Sequence, residues 1–259
     1  MLYEKIMKSI DLKKLNCAFM VENLKTGEKI AYNENIVVPS ASLIKIPIMM
    51  EILELVKKSD LSLNQRITVK DEVKVPFSIL NLLESGNSYT LKDIITLMII
   101  QSDNTAANIL MDISGISNVN NYIKNLGLKN TVLQRKMMDS DARKEGRENK
   151  TTAADMVKFF EIIYKGVKIG NPYSILMKNI LISQLDNSVM RLYIPDDTLI
   201  AHKTGDLDGI SHDAGIVYLP NTDYIFCGLT WNAPTNNLAR DTIGRISKIV
   251  YDHFINQKQ

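Results

Sequence analysis

Three short strings stand in order along the chain: Ser42-Leu-Ile-Lys45, Ser102-Asp-Asn104 and Lys203-Thr-Gly205. They supply a serine hydroxyl, a lysine one helical turn away, a second hydroxyl with an amide, and a lysine on a strand. An unassisted serine is a weak nucleophile, and a lysine serves as its base only when burial or neighbouring cations depress its pKa. Ser42 follows Pro39 at the expected first turn of a helix, where unpaired amides and the positive helix end favour negative charge developing at the serine. Lys45, three residues on, falls on the same face. Such a set suits acyl transfer onto the Ser42 oxygen.

Each string also has an ordinary reading. Ser-x-x-Lys is often a helix cap followed by a solvated lysine, although Ser42 is the only serine here with a lysine three residues on. Ser102-Asp-Asn104 lies between two helical stretches and reads as a capped helix break. Its functional reading is a loop from which Ser102 relays a proton to a leaving nitrogen while Asn104 holds the acyl arm of a substrate. Lys-Thr-Gly occurs twice. Lys25-Thr-Gly27 precedes Glu28 at a hairpin turn, where glycine supplies positive φ, and is assigned to structure. Lys203-Thr-Gly205 follows an apolar strand and is assigned to function. There a strand edge can set Lys203 and Thr204 beside a substrate carboxylate while Gly205 permits close approach.

The elements that must carry these residues follow from periodicity. Residues 4–15 read as an amphipathic helix, 17–23 and 29–33 as a strand pair, and the apolar run from Ser42 to Val56 as a helix. A short strand is expected at Arg66–Val69. Thr90 and Asp93 form a capping pair for a helix to Gln101, followed by helices at 105–112, 119–126, 153–164 and 174–183. The polar stretch 131–150 is a long connection, either a functional loop or a disordered one. Beyond Pro195, strands at 199–203, 214–219 and 224–231 precede a closing amphipathic helix at 238–254. Strands at both ends with helices between predict an α+β fold of three layers, α/β/α. An antiparallel sheet lobe from residues 1–38 and 195–259, with terminal helices, would carry an inserted helical lobe over 39–194.

Composition narrows the function. The 259 residues are 45% hydrophobic and 23% charged, with a net charge of +2 that gives no reason to expect nucleic acid as a partner. Three histidines and two cysteines at no ligand spacing predict no metal, and no cofactor is expected. Cys17 and Cys227 are expected as buried free thiols, with a single bridge between them left open. Most of the 12 methionines sit at helical spacing and read as core. No stretch of about 18 apolar residues is present to span a membrane. The N-terminus shows no secretion signal, so the chain as written is expected in the cytoplasm, although a chain trimmed of a signal would read identically. A monomer acting on a small molecule is the expectation.

The three strings, their order and their separations resemble the class A β-lactamases, a motif set known for this chemistry. Gln101-Ser-Asp-Asn-Thr-Ala-Ala-Asn108 and Pro39-Ser-Ala-Ser-Leu-Ile-Lys-Ile-Pro47 extend the likeness, which covers nearly the whole chain. The resemblance implies a β-lactamase/transpeptidase-like fold in a single domain and a role for each residue. Ser42 would be acylated, Lys45 would take or route its proton, and Ser102 would pass a proton to the lactam nitrogen with help from Lys203. Thr204 would hold the substrate carboxylate and Asn104 its side-chain amide. The backbone N–H groups of Ser42 and Asp206 would form the oxyanion hole, and Phe77 would stand at the pocket rim.

Two departures stand out. The family's Arg-x-Glu-Pro loop carries the glutamate that activates the deacylating water, and here Arg135-Lys-Met-Met-Asp139 takes its place with Met137 at the glutamate position. Asp139, Asp141, Glu145 and Glu148 are nearby carboxylates off that position, and Arg135 with Asn149 would replace the usual loop-pinning ion pair, leaving the loop less firmly held. Asp206 brings negative charge to a carboxylate-binding place, and Arg240 is the arginine that could reach over to assist Lys203. His212 and Asp213 read as strand-end structure. The expected activity is β-lactam opening through an acyl-serine with slow release. The alternatives are a peptidase, amidase or esterase of the same fold, or a module that senses β-lactams by staying acylated.

Overall fold

A computed structural model describes residues 1–256. The chain opens with helix α1 (Leu2–Ser9) and the hairpin β1 (Asn16–Asn23) and β2 (Lys29–Tyr32). Next come β3 (Val38–Pro39), a 3-10 turn (Ala41–Ile44), α2 (Lys45–Lys57), and the small ribbon β4 (Arg66–Thr68) and β5 (Ser88–Thr90). The helices α3 (Leu91–Ile100), α4 (Asn104–Ser114), α5 (Ile116–Asn125) and α6 (Ser140–Lys144) follow, then β6 (Lys150–Thr151), α7 (Ala153–Lys165) and α8 (Asn171–Ile182). Strands β7 (Leu199–Leu207), β8 (Ile210–Tyr218) and β9 (Tyr224–Trp231) lead into the closing helix α9 (Asn236–Ile255).

The main sheet has the order β2-β1-β9-β8-β7, antiparallel throughout, so strands from both ends of the chain share one ladder. Alternation along each strand sorts its side chains between two cores. Ala18 and Met20 of β1, with Ile225, Cys227 and Leu229 of β9, join the helices α2 to α5, α7 and α8. Cys17, Phe19 and Val21, with Tyr224 and Phe226, face α1 and α9 on the other side. The result is the expected α+β arrangement of helix, sheet and helix. Cys17 and Cys227 are buried free thiols on opposite faces of the sheet, which closes the question of a bridge.

Helix α2 is buried from Lys45 to Leu53, as its mostly apolar run predicts, with Lys45 and Glu51 the charged residues inside it. Thr90 and Asp93 cap α3 reciprocally through Thr90 Oγ1 and Asp93 Oδ2, as their spacing predicts. The first helix is shorter than its pattern: Ile10 is extended, and residues 12–14 form a turn in which Asp11 accepts from the Lys13 amide. Ser42 lies in the 3-10 turn ahead of α2, not inside the α-helix. Helix α8 begins three residues earlier than expected, with Pro172 in its first turn.

Candidate functional site

The Ser42 turn is held from two sides. Ser40 N donates to Asn149 O at 2.8 Å, and His212 Nε2 lies 2.8 Å from Pro39 O, a carbonyl that can only accept. Burial lowers the His212 pKa, and its ring serves as a strand-to-turn strut. Ala41, just before Ser42, sits at φ +45°. A Cβ on Gly205 would fall 2.9 Å from Ser42 N and 3.1 Å from Ala41 Cβ, so strand β7 approaches this turn by a route open only to glycine. Sequence reasoning expected Gly205 to make room for a substrate, but the neighbour that demands the glycine is the Ser42 turn itself. The Ser42 N–H belongs to a first turn, where amides lack partners within the helix.

Lys45 is fully buried. Its Nζ bonds Ser102 O, Ser102 Oγ at 3.1 Å and Asn104 Oδ1 at 2.8 Å; among the described residues no hydrogen bond joins it to Ser42 Oγ. The shared helical face brings Lys45 near Ser42 in sequence, yet two carbonyl-type oxygens from the 102–104 segment attract the amine more strongly. Burial first, and then the Lys203 ammonium, push the Lys45 pKa well below the ordinary lysine range, with Asp103 opposing. All three contacts are donations from the amine, to Ser102 O, Ser102 Oγ and Asn104 Oδ1.

Ser102 occupies the left-handed region at φ +54°, a conformation that costs a non-glycine residue about 1–3 kcal/mol and clusters at functional sites. Asp103 is the fixed point beneath it. Its carboxylate caps α4 through Ala106 N at 2.8 Å, and accepts from Ser78 Oγ at 2.7 Å and Leu80 N at 3.0 Å. Asn104 gives one amide hydrogen to Pro76 O at 3.2 Å, which leaves its second N–H for a ligand. The segment from Pro76 to Leu80 is thereby tied to the Ser102 loop.

Strand β7 is the last in the sheet, and its free edge borders the cleft. Lys203 is fully buried and donates to Thr204 O at 2.8 Å. Burial brings its pKa down to about 8, against the pull of Asp213, Asp186 and Asp206. Asp206 does not stand alone beside it. Its Oδ2 pairs with Arg240 Nη2 at 2.9 Å, and its Oδ1 accepts from Ser211 Oγ at 2.5 Å and Asn236 Nδ2 at 3.4 Å. Arg240 does reach over from α9, but its guanidinium is bonded to Asp206. Asp213 instead pairs with His202 at 3.0 Å inside the sheet, away from the open cleft.

The opposite wall is the 131–150 segment. It is ordered: Val132 bridges Lys150, and Asp139 caps the short helix α6 through Ala142 N. Arg135 pairs with Glu148 at 2.7 Å, and Arg143 approaches the same carboxylate at 3.3 Å. Asn149 Oδ1 accepts from the Gln134 and Arg135 amides at 2.7 and 3.1 Å. The expectation of a loosely held loop is therefore overturned, because Arg135 has Glu148 as its ion-pair partner in addition to the Asn149 contacts. Met137, 8% exposed, is locked by paired bonds between its backbone and the Asn108 amide, at 2.8 and 3.1 Å. Asp141 pairs with Lys144 and Glu145 with Arg147. Of the four candidate carboxylates only Asp139 and Glu148 line the cleft, the first capping a helix and the second held by two arginines.

Ser42, Ser102, Asn104, Thr204, Gly205 and Asp206 line one cleft of about 840 Å³, while Lys45 and Lys203 are buried and are not among its lining residues. Ala41, Phe77, Ser102 and Met138, all non-glycines at positive φ, border it too. Phe77 is 79% exposed at the rim, with Ile79, Leu82, Met138 and Leu185 also exposed there. Sequence reasoning missed Asp186. Its carboxylate accepts from Ser188 N and Oγ at 3.0 and 2.6 Å, and bonds from Ser188 and Thr204 hold its pKa low against the effect of burial. Asp-x-Ser is a readable turn signal, but nothing in it points to Thr204.

The model of the beta-lactamase enzyme family matches residues 1–254 of this chain. The chain belongs to the beta-lactamase enzyme family. The family acts on small β-lactams, and its activity is β-lactam hydrolysis. A β-lactamase of Bacteroides uniformis is 25% identical over 243 residues, covering 87% of this chain and 82% of that protein. The crystal structure of a β-lactamase from Sphaerobacter thermophilus is 25% identical with a TM-score of 0.90, covering 100% of this chain and 98% of the other. A variant of PBP-A, captured as an acyl-enzyme with penicillin G, is 26% identical with a TM-score of 0.90, covering 99% and 97% of the two chains. Among the described residues of this family member, no helix is long and apolar enough to cross a membrane.

Proposed function

We propose that this chain is a class A-type serine hydrolase that opens the β-lactam amide by acylating Ser42, with a slow second half-reaction. The observation that carries this reading is the Lys45 amine, buried and depressed in pKa, in contact with the hydroxyl of Ser102, which lines the same cleft as Ser42. A neutral Lys45 draws the proton from Ser42 as the oxygen attacks the lactam carbonyl, after a small swing of its amine. The Ser42 and Asp206 backbone N–H groups receive the developing oxyanion, where one lost donor costs about 2.7–4 kcal/mol. Ser102, in contact with Lys45, hands a proton to the departing nitrogen, so charge circulates without leaving the cleft. Lys203 and Thr204 face the substrate carboxylate, and the free Asn104 N–H faces its acyl arm.

Release of the acyl group needs a base for water. A thioether at Met137 cannot take a proton, Glu148 is held by Arg135 and Arg143, and Asp139 caps α6. Missing general-base help typically slows a step by about 10²–10⁴-fold. This supports a long-lived acyl-enzyme, and with it a second reading as a module that senses β-lactams by remaining acylated. Intact-mass spectrometry after mixing with a penicillin separates the readings. A stoichiometric adduct on Ser42 that decays over many minutes is expected. Rapid loss of the adduct would overturn slow release, and a protein whose mass never changes would point to a peptidase, amidase or esterase acting on another substrate.

A further inference from the structure

Where β7 and α9 border the cleft, Asp186, Asp206 and Arg240 line it, and Lys203 and Asp213 lie buried nearby. Asp213 is occupied by His202, and Asp186 by Ser188 and Thr204. Asp206 and Arg240 are bonded to each other at 2.9 Å, both are part-exposed, and both line the cleft. Asp206 is held in that pose by Ser211 Oγ and Asn236 Nδ2, while Arg240 Nε is buried with no partner among the described residues. One guanidinium N–H, on Nη2, is committed to a carboxylate of this chain, and the Nε donor has no partner among the described residues. A ligand carboxylate reaching Arg240 would have to share the guanidinium, and its charge, with Asp206.

We propose that Asp206 is a specificity-determining residue: an internal carboxylate that occupies Arg240 and so removes this site's preference for substrates bearing a carboxylate beside the scissile amide. The proposal rests on the acyl-serine reading above and deepens it by naming the substrate class. An anionic ring substituent must compete with Asp206 for Arg240, whereas a neutral ester or amide there does not. The cleft then takes acyl compounds that are charged and uncharged at this position about equally.

The test compares a penicillin with its methyl ester, taking the ratio of their second-order acylation rates from the growth of the Ser42 adduct by mass. In the unaltered protein the ratio is expected near one. Asp206→Asn keeps the shape and the Ser211 contact but frees Arg240, and should raise the acid-to-ester ratio by about 10–100-fold, the worth of one charge-assisted hydrogen bond. Arg240→Gln should lower the ratio, and the double variant should lose the gain of Asp206→Asn, since that gain requires the arginine. A residue with a merely structural role would slow both compounds alike and leave the ratio fixed. An unaltered protein that already favours the acid tenfold or more, or a double variant that keeps the gain, would overturn the proposal. If neither compound labels any variant, the acyl-serine reading falls, and this inference falls with it.

Discussion

The tripeptide Lys-Thr-Gly is written twice in this chain, with opposite outcomes. At Lys25-Thr26-Gly27 it is a turn: Asn23 Oδ1 accepts from the Lys25 and Thr26 amides, Gly27 sits at φ +76°, and nothing lies within 4 Å of where its Cβ would be. At Lys203-Thr204-Gly205 the same residues form an extended edge strand. The lysine is buried, and a Cβ on the glycine would meet a backbone nitrogen at 2.9 Å. The first glycine is required by its dihedral angle and the second by its neighbour. What differs is the flanking sequence, Asn23 before a turn against the apolar Leu199-Ile-Ala before a strand, and this sets how much water each lysine sees. A motif acquires chemistry only when the surrounding chain buries it.

The contrast can be broken most sharply at the two glycines. Gly205→Ala forces β7 away from the Ser42 amide, and the acylation rate should fall by about 10²–10³-fold, as for a displaced oxyanion donor. A Gly205→Ala protein acylated at the unaltered rate would show that the close approach has no part in the reaction. The two lysines come next. Lys203 carries its charge below about pH 8 and loses it above, so acylation by a carboxylate-bearing penicillin should decline by up to about tenfold per pH unit beyond that point. Lys203→Arg, whose charge persists, should flatten that limb, and a rate–pH profile with the same decline in both proteins would assign it elsewhere. Smallest are the effects at the first copy. Asn23→Ala should cost about 1–3 kcal/mol, and Gly27→Ala about 1–2 kcal/mol, by removing a buried acceptor and by strain at positive φ. Thermal melting should record both losses, with Ser42 acylation unchanged.

The sequence made the two copies separable because local signals were enough: a turn residue before one, a β-rich run before the other. The same holds for the Thr90–Asp93 capping pair and for the strand at Tyr224–Trp231, whose bounds match the structure. Other features needed three dimensions. The 3-10 geometry around Ser42 depends on Pro39 being held by His212, more than 170 residues away. Arg135 and Glu148 lie 13 residues apart, and either could have met other charges in a segment rich in them. The Asp206–Arg240 pair joins a strand to a helix beyond two further strands, so Arg240 could be named as reaching the site, but not what it would bond there. The amine of Lys45 turned towards Ser102 and Asn104, a choice made by acceptor strength inside a buried pocket and not by helical spacing.

One consequence concerns the order of assembly. Asn16 of β1 pairs with Trp231 of β9, and β9 lies between β1 and β8 at the centre of the ladder. While the polypeptide is being made, the amino-terminal hairpin therefore has an exposed flank until nearly the last strand has been synthesised, and so distant a pairing is slow to form. A chain halted before residue 224 would present that flank to other molecules, so nascent fragments of this protein should be prone to clump unless a chaperone shields them.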